Sequence, residues 1–468
     1  MVKLNFGANR NLDHLPGDYG LPLIGKTAPF MFKNREFLLD AHKQYGNVAK
    51  TSVLGMRLVM LMGPEANEML FQDKNQNFST KKGYEFVSEM FEGGILLRDF
   101  EDHRYHRKII NNAFKKSALT DYLELMNPLI QQTVNNWGNE GNFLFSPAAK
   151  QLTLNLAATV FMGADGDGFG SDKQKISQAY SDWVGAAATP VRLPIPGSPY
   201  AKGVKARDFL NDYALARVDE KRGSTSRDLF AHLCRAQSED GKFFSNQEVA
   251  RHLMFIILAA HDTTTSSLSY LVGALGIHKD WQEKVREEAF SIEHESPNYA
   301  DISEFNVMDM CINEGLRKYT PVSFIIRRAE REFEYEGHTI PDNSFIACCP
   351  GSAHYSESYW TNPYTFDPNR FAPGREEDKQ HPFLFTPFGG GAHMCIGKHF
   401  AYMQAKTILF HLIRNYEIVV PENYRMKMKQ FPLPLPKDKL PITFKPLRKS
   451  SSVKPRKIEV DKEVAVTE

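Results

Sequence analysis

The sequence predicts a mainly α-helical fold with small β-sheets, an α+β architecture, and three observations carry that expectation. Apolar residues recur at helical spacing from beyond Met62 to about Gly276. Two β-like stretches, residues 48–62 and 324–349, bracket that helical region. No internal repeat or linker divides the body, so residues 1–447 read as one domain, followed by a charged, aromatic-free tail at 448–468.

The elements follow in order. Pro16-Gly17-Asp18-Tyr19-Gly20-Leu21-Pro22 is a turn-rich lead-in. Asn34 is expected to cap a helix that stops at Gly46, and Gly55 to turn the chain within the 48–62 stretch. Ser245-Asn246-Gln247-Glu248 is a capping box opening a long helix that runs to Gly276. A further helix covers 306–319 and ends before Pro321, because the residue before proline avoids the α region. Glu336-Gly337 reads as a hairpin turn inside the second β stretch. The last helix begins just after Cys395 and ends near Asn415.

Composition narrows the function classes. Hydrophobic residues at 42% and charged residues at 24% fit a globular chain with a sizeable core. Lys and Arg number 57 against 56 Asp and Glu, a balance that argues against a nucleic-acid partner. The five cysteines, Cys234, Cys311, Cys348, Cys349 and Cys395, are odd in number and contain no CxxC pair. A disulfide framework or zinc site is therefore not expected, and a reducing, cytoplasmic setting is. Residues 1–15 are polar, without the apolar run of a signal peptide or membrane anchor. The one apolar candidate span, 252–278, carries His261, Asp262 and five consecutive hydroxyl residues at its centre, which suits a buried helix of a soluble protein.

Three motifs carry chemistry. Phe388-Gly389-Gly390-Gly391-Ala392-His393-Met394-Cys395-Ile396-Gly397 lets backbone approach a flat ligand and puts a cysteine at the mouth of a helix. A helix N-terminus favours thiolate, a suitable axial donor to haem iron. The bland alternative is a glycine-rich turn with a bystander cysteine. Glu314 and Arg317 lie three apart on one helix face, which alone is most often a surface ion pair. Phe366-Asp367-Pro368-Asn369-Arg370-Phe371 adds an arginine in a turn.

In this order, a Glu-x-x-Arg helix, an arginine-bearing turn and a cysteine-ligand loop, the sequence resembles the cytochrome P450 family from about residue 15 to 447. The resemblance implies one P450-type fold, haem b bound through the Cys395 thiolate with Phe388 beside it, and monooxygenase activity. It also implies that Glu314, Arg317 and Arg370 form a network supporting the Cys395 loop. In Ala259-Ala260-His261-Asp262-Thr263-Thr264, Asp262 and Thr263 match the family's acid–alcohol pair, which imports the protons that dioxygen cleavage consumes. The competing account is that Asp262 satisfies a helix distortion and Thr263 bonds back to a carbonyl. Ala260 stands where the family usually has glycine. Position matching nominates His103, Arg107, Arg327 and His393 as partners of the haem propionates.

The same correspondence nominates Tyr84, Phe86, Val87, Phe91, Phe255, Ala259, Phe324, Ile325 and Leu433 as a lining for a lipophilic substrate, with core packing the alternative for each. Tyr84 with Phe91, His393 and Phe400-Ala401-Tyr402-Met403-Gln404 resemble the sterol 14α-demethylase-like branch. Asp262, Glu89 and Glu92 depart from it. A sterol, triterpenoid or other terpenoid is the first expectation for the substrate, and a fatty acid or retinoid-like lipid the second. No flavin or dinucleotide domain is visible, so electrons are expected from a separate ferredoxin or flavodoxin with its reductase. Arg104, Lys108, Lys115, Lys116 and Lys398 are candidates for its docking patch. A haem-thiolate isomerase or peroxygenase would need no reductase, and the acid–alcohol pair disfavours it.

Overall fold

The computed structural model describes residues 10–138, 143–163, 173–187, 189 and 193–447. The 448–468 tail and the first nine residues lie outside them, as does part of the 190–199 loop. The architecture is helix-rich with small sheets, as the periodicities predict. Val48–Val53 and Met56–Met62 pair antiparallel across the Leu54-Gly55 turn. Met56–Met62 then pairs parallel with Phe345–Cys349, which pairs antiparallel with Ile325–Ala329. Phe78–Ser79 completes this five-stranded sheet at its edge. The Glu336-Gly337 turn joins Phe333–Tyr335 to His338–Ile340, both turn residues having positive φ, as a tight hairpin requires.

The long helix Asn246–Ile277 crosses the centre of the molecule. Its capping box is present in full, Ser245 accepting from the Glu248 N–H and Glu248 accepting from the Ser245 N–H. It packs on helices Phe145–Leu156, Pro199–Leu215 and Asn306–Lys318, burying most of its length. Lys398–Asn415, with Gly397 at its N-cap, packs against Lys116–Trp137.

One local expectation is revised. Asn34 begins the helix Asn34–Tyr45 but does not cap it. Its amide donates to the Phe30 carbonyl and accepts from Ser323 Oγ, so tertiary bonding has taken the side chain away from the helix end. Gly46, with φ of 78°, ends that helix as expected.

Candidate active site

A cavity of about 350 Å³ lies between the long helix, the 387–402 loop and helix start, and the Ile325–Ala329 strand. Phe255, Ala259, Thr263 and Ser267 line it at intervals of four, one stripe of the long helix. Ala259 is exposed although it sits mid-helix in the core, because its neighbour is the cavity. Cys395 faces the same space from the opposite wall.

The loop bearing Cys395 is shaped by glycine. Gly391 has φ of 60°, and a Cβ there would lie 1.7 Å from the Phe71 carbonyl oxygen. Only glycine admits that approach. The Cys395 N–H donates to the Phe388 carbonyl at 2.9 Å, closing the loop beneath the sulfur. Burial pushes the Cys395 thiol up, and the Gly397 N–H, Arg107 and Lys398 pull it only partly back.

Glu314, Arg317 and Arg370 meet with fully buried side chains. Arg317 binds Glu314 through two bonds, of 2.7 and 2.9 Å. Arg370 lies 3.3 Å from the same carboxylate. Glu377, which the motifs did not point to, accepts from Arg370 at 2.8 Å and pairs with the more exposed Arg375 at 2.7 Å, so Arg370 bridges the two glutamates. The network reaches the cysteine loop through His354. Arg317 donates to the His354 carbonyl at 2.7 Å, and the His354 Nε2 accepts from the Thr386 N–H at 3.2 Å. The Thr386 carbonyl in turn accepts from the Gly389 N–H at 3.0 Å.

The bond from Thr386 requires a neutral His354 ring, and burial together with Arg317 pushes its pKa down to about 3. An imidazole depressed in the fold but ordinary when unfolded stabilises the fold above the usual imidazole range. That contribution is lost as the pH falls towards about 3. Asparagine can accept the same N–H but does not titrate. His354→Asn is therefore expected to lose less stability than the parent on acidification, by up to about 1.4 kcal/mol per pH unit, measured by denaturant unfolding at stepped pH.

At the cavity's far edge, His103 and Arg107 on helix Phe100–Asn111 approach Arg327 and His393. The His103 and His393 ring centroids are 3.8 Å apart. Burial and the neighbouring cations push His393 down to about 2, and burial with Arg107 pushes His103 to about 4. Arg327 is buried, and among the described residues its side chain donates only to the adjacent Ile326 carbonyl. Arg107 donates to the Met394 carbonyl and to Asn111. Among the described residues neither arginine forms an ion pair. A buried cation without an anion is costly, so this edge is built to receive a negatively charged group.

Haem fits that donor set. The sulfur and the glycine loop suit the iron and a flat face, the apolar stripe suits the ring, and the cation edge suits two propionates. A metal in contact also supplies what a buried thiol needs to deprotonate.

A scan against family models matches residues 15–444 to "Cytochrome P450". The chain belongs to the cytochrome P450 family. Its enzymes are monooxygenases that use haem with an axial cysteine thiolate, take electrons from redox partners and act on lipophilic substrates. A putative cytochrome P450 136 of Mycobacterium tuberculosis is 33% identical over 92% of this chain and 88% of its own. The taxane 10-beta-hydroxylase of Taxus cuspidata is 28% identical over 90% of this chain and 87% of its own. Among solved structures, the retinoic acid-bound cyanobacterial CYP120A1 superposes with a TM-score of 0.83 at 25% identity, covering 92% of this chain and 99% of that one. These P450 relatives do not single out the sterol 14α-demethylase-like branch.

The remaining nominated positions separate. Tyr84, Phe255, Ala259 and Ile325 line the P450 cavity, as does Phe388. Phe86 stacks on Tyr84, Phe91 packs edge-on to Phe255, and Val87 is buried. Phe324 packs against Phe30 on the far face of the sheet, and Leu433 lies outside the wall. Thr80 and Phe71, which sequence reasoning did not nominate, are in it. The Thr263 hydroxyl lines the cavity and donates back to the Ala259 carbonyl at 2.8 Å.

Asp262 turns away from the cavity, to His261 Nδ1 at 3.0 Å and Lys150 Nζ at 3.1 Å. Burial would raise its pKa, but His261 and Lys150 together hold it below the ordinary carboxylate value. His261 Nε2 donates to the Lys150 carbonyl at 3.1 Å, and Lys150 is half exposed. Of the basic residues near the cysteine face, Arg104 pairs with Glu101 and Lys108 with Glu239. Among the described residues no helix is long and apolar enough to cross a membrane.

Proposed function

We propose that this P450 hydroxylates a terpenoid-class lipid, with Cys395 as the axial ligand of haem b and Asp262 and Thr263 delivering protons. The observation that carries the reading is the convergence of Cys395, the Thr263 stripe and the unpaired cation edge on one apolar cavity. When bound, the haem supplies oxygen activation. His103, Arg107, Arg327 and His393 anchor its propionates, and Glu314, Arg317 and Arg370 hold the loop that presents the sulfur.

The protein's own part in proton movement runs from helix Phe145–Leu156 to the long helix. Lys150, half exposed, exchanges with solvent and faces the Asp262 carboxylate. His261 Nε2 donates to the Lys150 carbonyl, and its Nδ1 lies 3.0 Å from the Asp262 carboxylate. One residue on, Thr263 carries the hydroxyl that faces the cavity, and its bond to Ala259 fixes its rotamer. Asp262→Asn is expected to slow turnover on the order of 10²-fold with an enlarged solvent deuterium isotope effect. Thr263→Ala should keep consuming reductant while product per electron falls severalfold. Full coupling in Thr263→Ala would refute its role.

The taxane hydroxylase and the retinoic acid-bound relative both concern isoprenoids, which supports a terpenoid substrate over a straight-chain fatty acid. The electron donor is a separate ferredoxin- or flavodoxin-like protein docking beside Lys115, Lys116 and Lys398. Five free cysteines suit a cytoplasmic setting. Titrating the holoenzyme with terpenoids, fatty acids and retinoids for a haem spin-state shift, then identifying products by mass spectrometry, tests the substrate class. A response confined to straight-chain fatty acids would overturn it.

A further inference from the structure

Residues 21–32 carry a single charge, that of Lys26, yet the fold leaves most of them outside. Leu21, Leu23, Ile24 and Phe32 are 65%, 96%, 55% and 73% exposed. Helix Thr27–Phe32 buries none of its six residues. Leu54, at the turn of the neighbouring hairpin, is exposed as well. Single apolar side chains on a surface are ordinary, but a contiguous group of them marks an interaction site.

The group is held in place. The Gly25 N–H donates to the Leu21 carbonyl and the Ile24 N–H to the Pro22 carbonyl, each at 2.8 Å, closing a tight loop. The Lys26 N–H donates to the Ser52 carbonyl at 2.7 Å, and the Leu54 N–H to Thr27 Oγ1 at 2.8 Å, fixing the loop to the hairpin. Gly25, with φ of 59°, allows that approach, since a Cβ there would lie 2.2 Å from the Ser52 carbonyl oxygen. Leu23 sits at the loop tip with φ of 66°, a region where a bulky side chain is strained. Strain and exposure both cost stability, and a side chain so exposed gives the fold almost no packing in return. A partner outside the chain accounts for both.

The surroundings indicate its chemistry. Lys26 turns to Asp18 at 2.6 Å, which leaves the tip apolar. Residues 18–57 hold six Lys and Arg against three Asp and Glu, an excess of three in a chain whose net charge is +1. Lys33, directly after Phe32, is exposed and forms no ion pair among the described residues. A protruding apolar tip needs a partner that yields around it, and a basic flank needs negative charge. A bilayer with anionic headgroups supplies both. The patch also adjoins the cavity wall: Phe30 packs on Phe324 and Phe431, and Val322 and Ile325 of the same 321–326 segment line the cavity.

We propose that residues 21–32 dock this enzyme on an anionic lipid surface, with Leu23 and Phe32 entering the acyl layer and Lys33 meeting the headgroups. The attachment is peripheral, made by a loop and a short helix lying in the interface.

The test sediments the haem-loaded full chain with vesicles of phosphatidylcholine, with and without phosphatidylglycerol. The parent is expected to bind severalfold more tightly where phosphatidylglycerol is present, and less tightly at raised salt. Leu23→Gly removes the side chain and relieves the backbone, and Phe32→Ser removes the ring. Each should weaken binding about tenfold, the loss of one buried large apolar side chain. Neither should lower the unfolding temperature, and Leu23→Gly should hold or raise it. No sedimentation of the parent with either vesicle, undiminished binding by both variants, or a lowered unfolding temperature in both overturns the proposal. A parent that is dimeric without lipid and becomes monomeric as Phe32→Ser would assign the patch to a second copy of the chain instead.

Discussion

The Cys395→Ser variant is expected to fold and to have no monooxygenase turnover. The fold survives because the loop is held by elements that the substitution leaves intact: the Cys395 N–H to Phe388 carbonyl bond, the Gly391 approach to Phe71, and the buried Arg317–His354–Thr386 link. What disappears is the donor. A serine hydroxyl is far less acidic than the thiol, which burial already pushes up, so it supplies no equivalent anionic donor. Without thiolate donation the push that favours O–O cleavage is gone. Near-normal thermal unfolding together with abolished substrate oxidation is the expected pair of results. Retained turnover in Cys395→Ser would mean that the haem ligand lies elsewhere.

Glu314→Gln is expected to be the most damaging single change to the fold. The substitution preserves shape, so packing around Arg317 changes little. Among the described residues it leaves Arg317, fully buried, with no acidic partner, and Arg370 sharing Glu377 with Arg375. Removing one partner of a buried ion pair costs about 3–5 kcal/mol. Against a total stability of about 5–15 kcal/mol, that is a fifth or more of what holds the fold together. Chemical denaturation should register the loss, along with a low yield of haem-loaded protein. The double variant Glu314→Met with Arg317→Met removes one charge of each sign and leaves Arg370 with Glu377. It should recover a substantial part of the loss, a non-additivity that an ordinary packing defect would not produce.

What was legible in the sequence was local. The capping box at Ser245 and Glu248, the three-residue spacing of Glu314 and Arg317, and the glycine run before Cys395 each state their geometry within a few residues. What was illegible depended on which way a side chain faces, or on partners far along the chain. Phe324 and Ile325 are adjacent apolar residues, and side chains alternate across a strand. Ile325 and Arg327 therefore point to the cavity, while Phe324 and Ile326 point to the sheet's other face, where Phe324 meets Phe30. Sequence alone does not fix that parity.

Glu377 and His354 carry no motif, yet one signal was available. Two arginines on one glutamate leave an excess charge, which points to a further buried acid, and Glu377, seven residues beyond Arg370, is that partner and is shared with Arg375. The Asp262 side chain illustrates the same limit. Its neighbour Thr263 faces the cavity, and a rotation of about 100° per residue carries Asp262 off that stripe, toward Lys150.

The claim on which the rest depends is that the Cys395 sulfur ligates the haem iron as thiolate. The ferrous–CO difference spectrum of the reduced, haem-loaded protein tests it most directly. The strongly red-shifted Soret band of thiolate ligation in the parent, absent from Cys395→Ser, is the predicted result. An imidazole-type spectrum in the parent, or a thiolate band that survives Cys395→Ser, would contradict it.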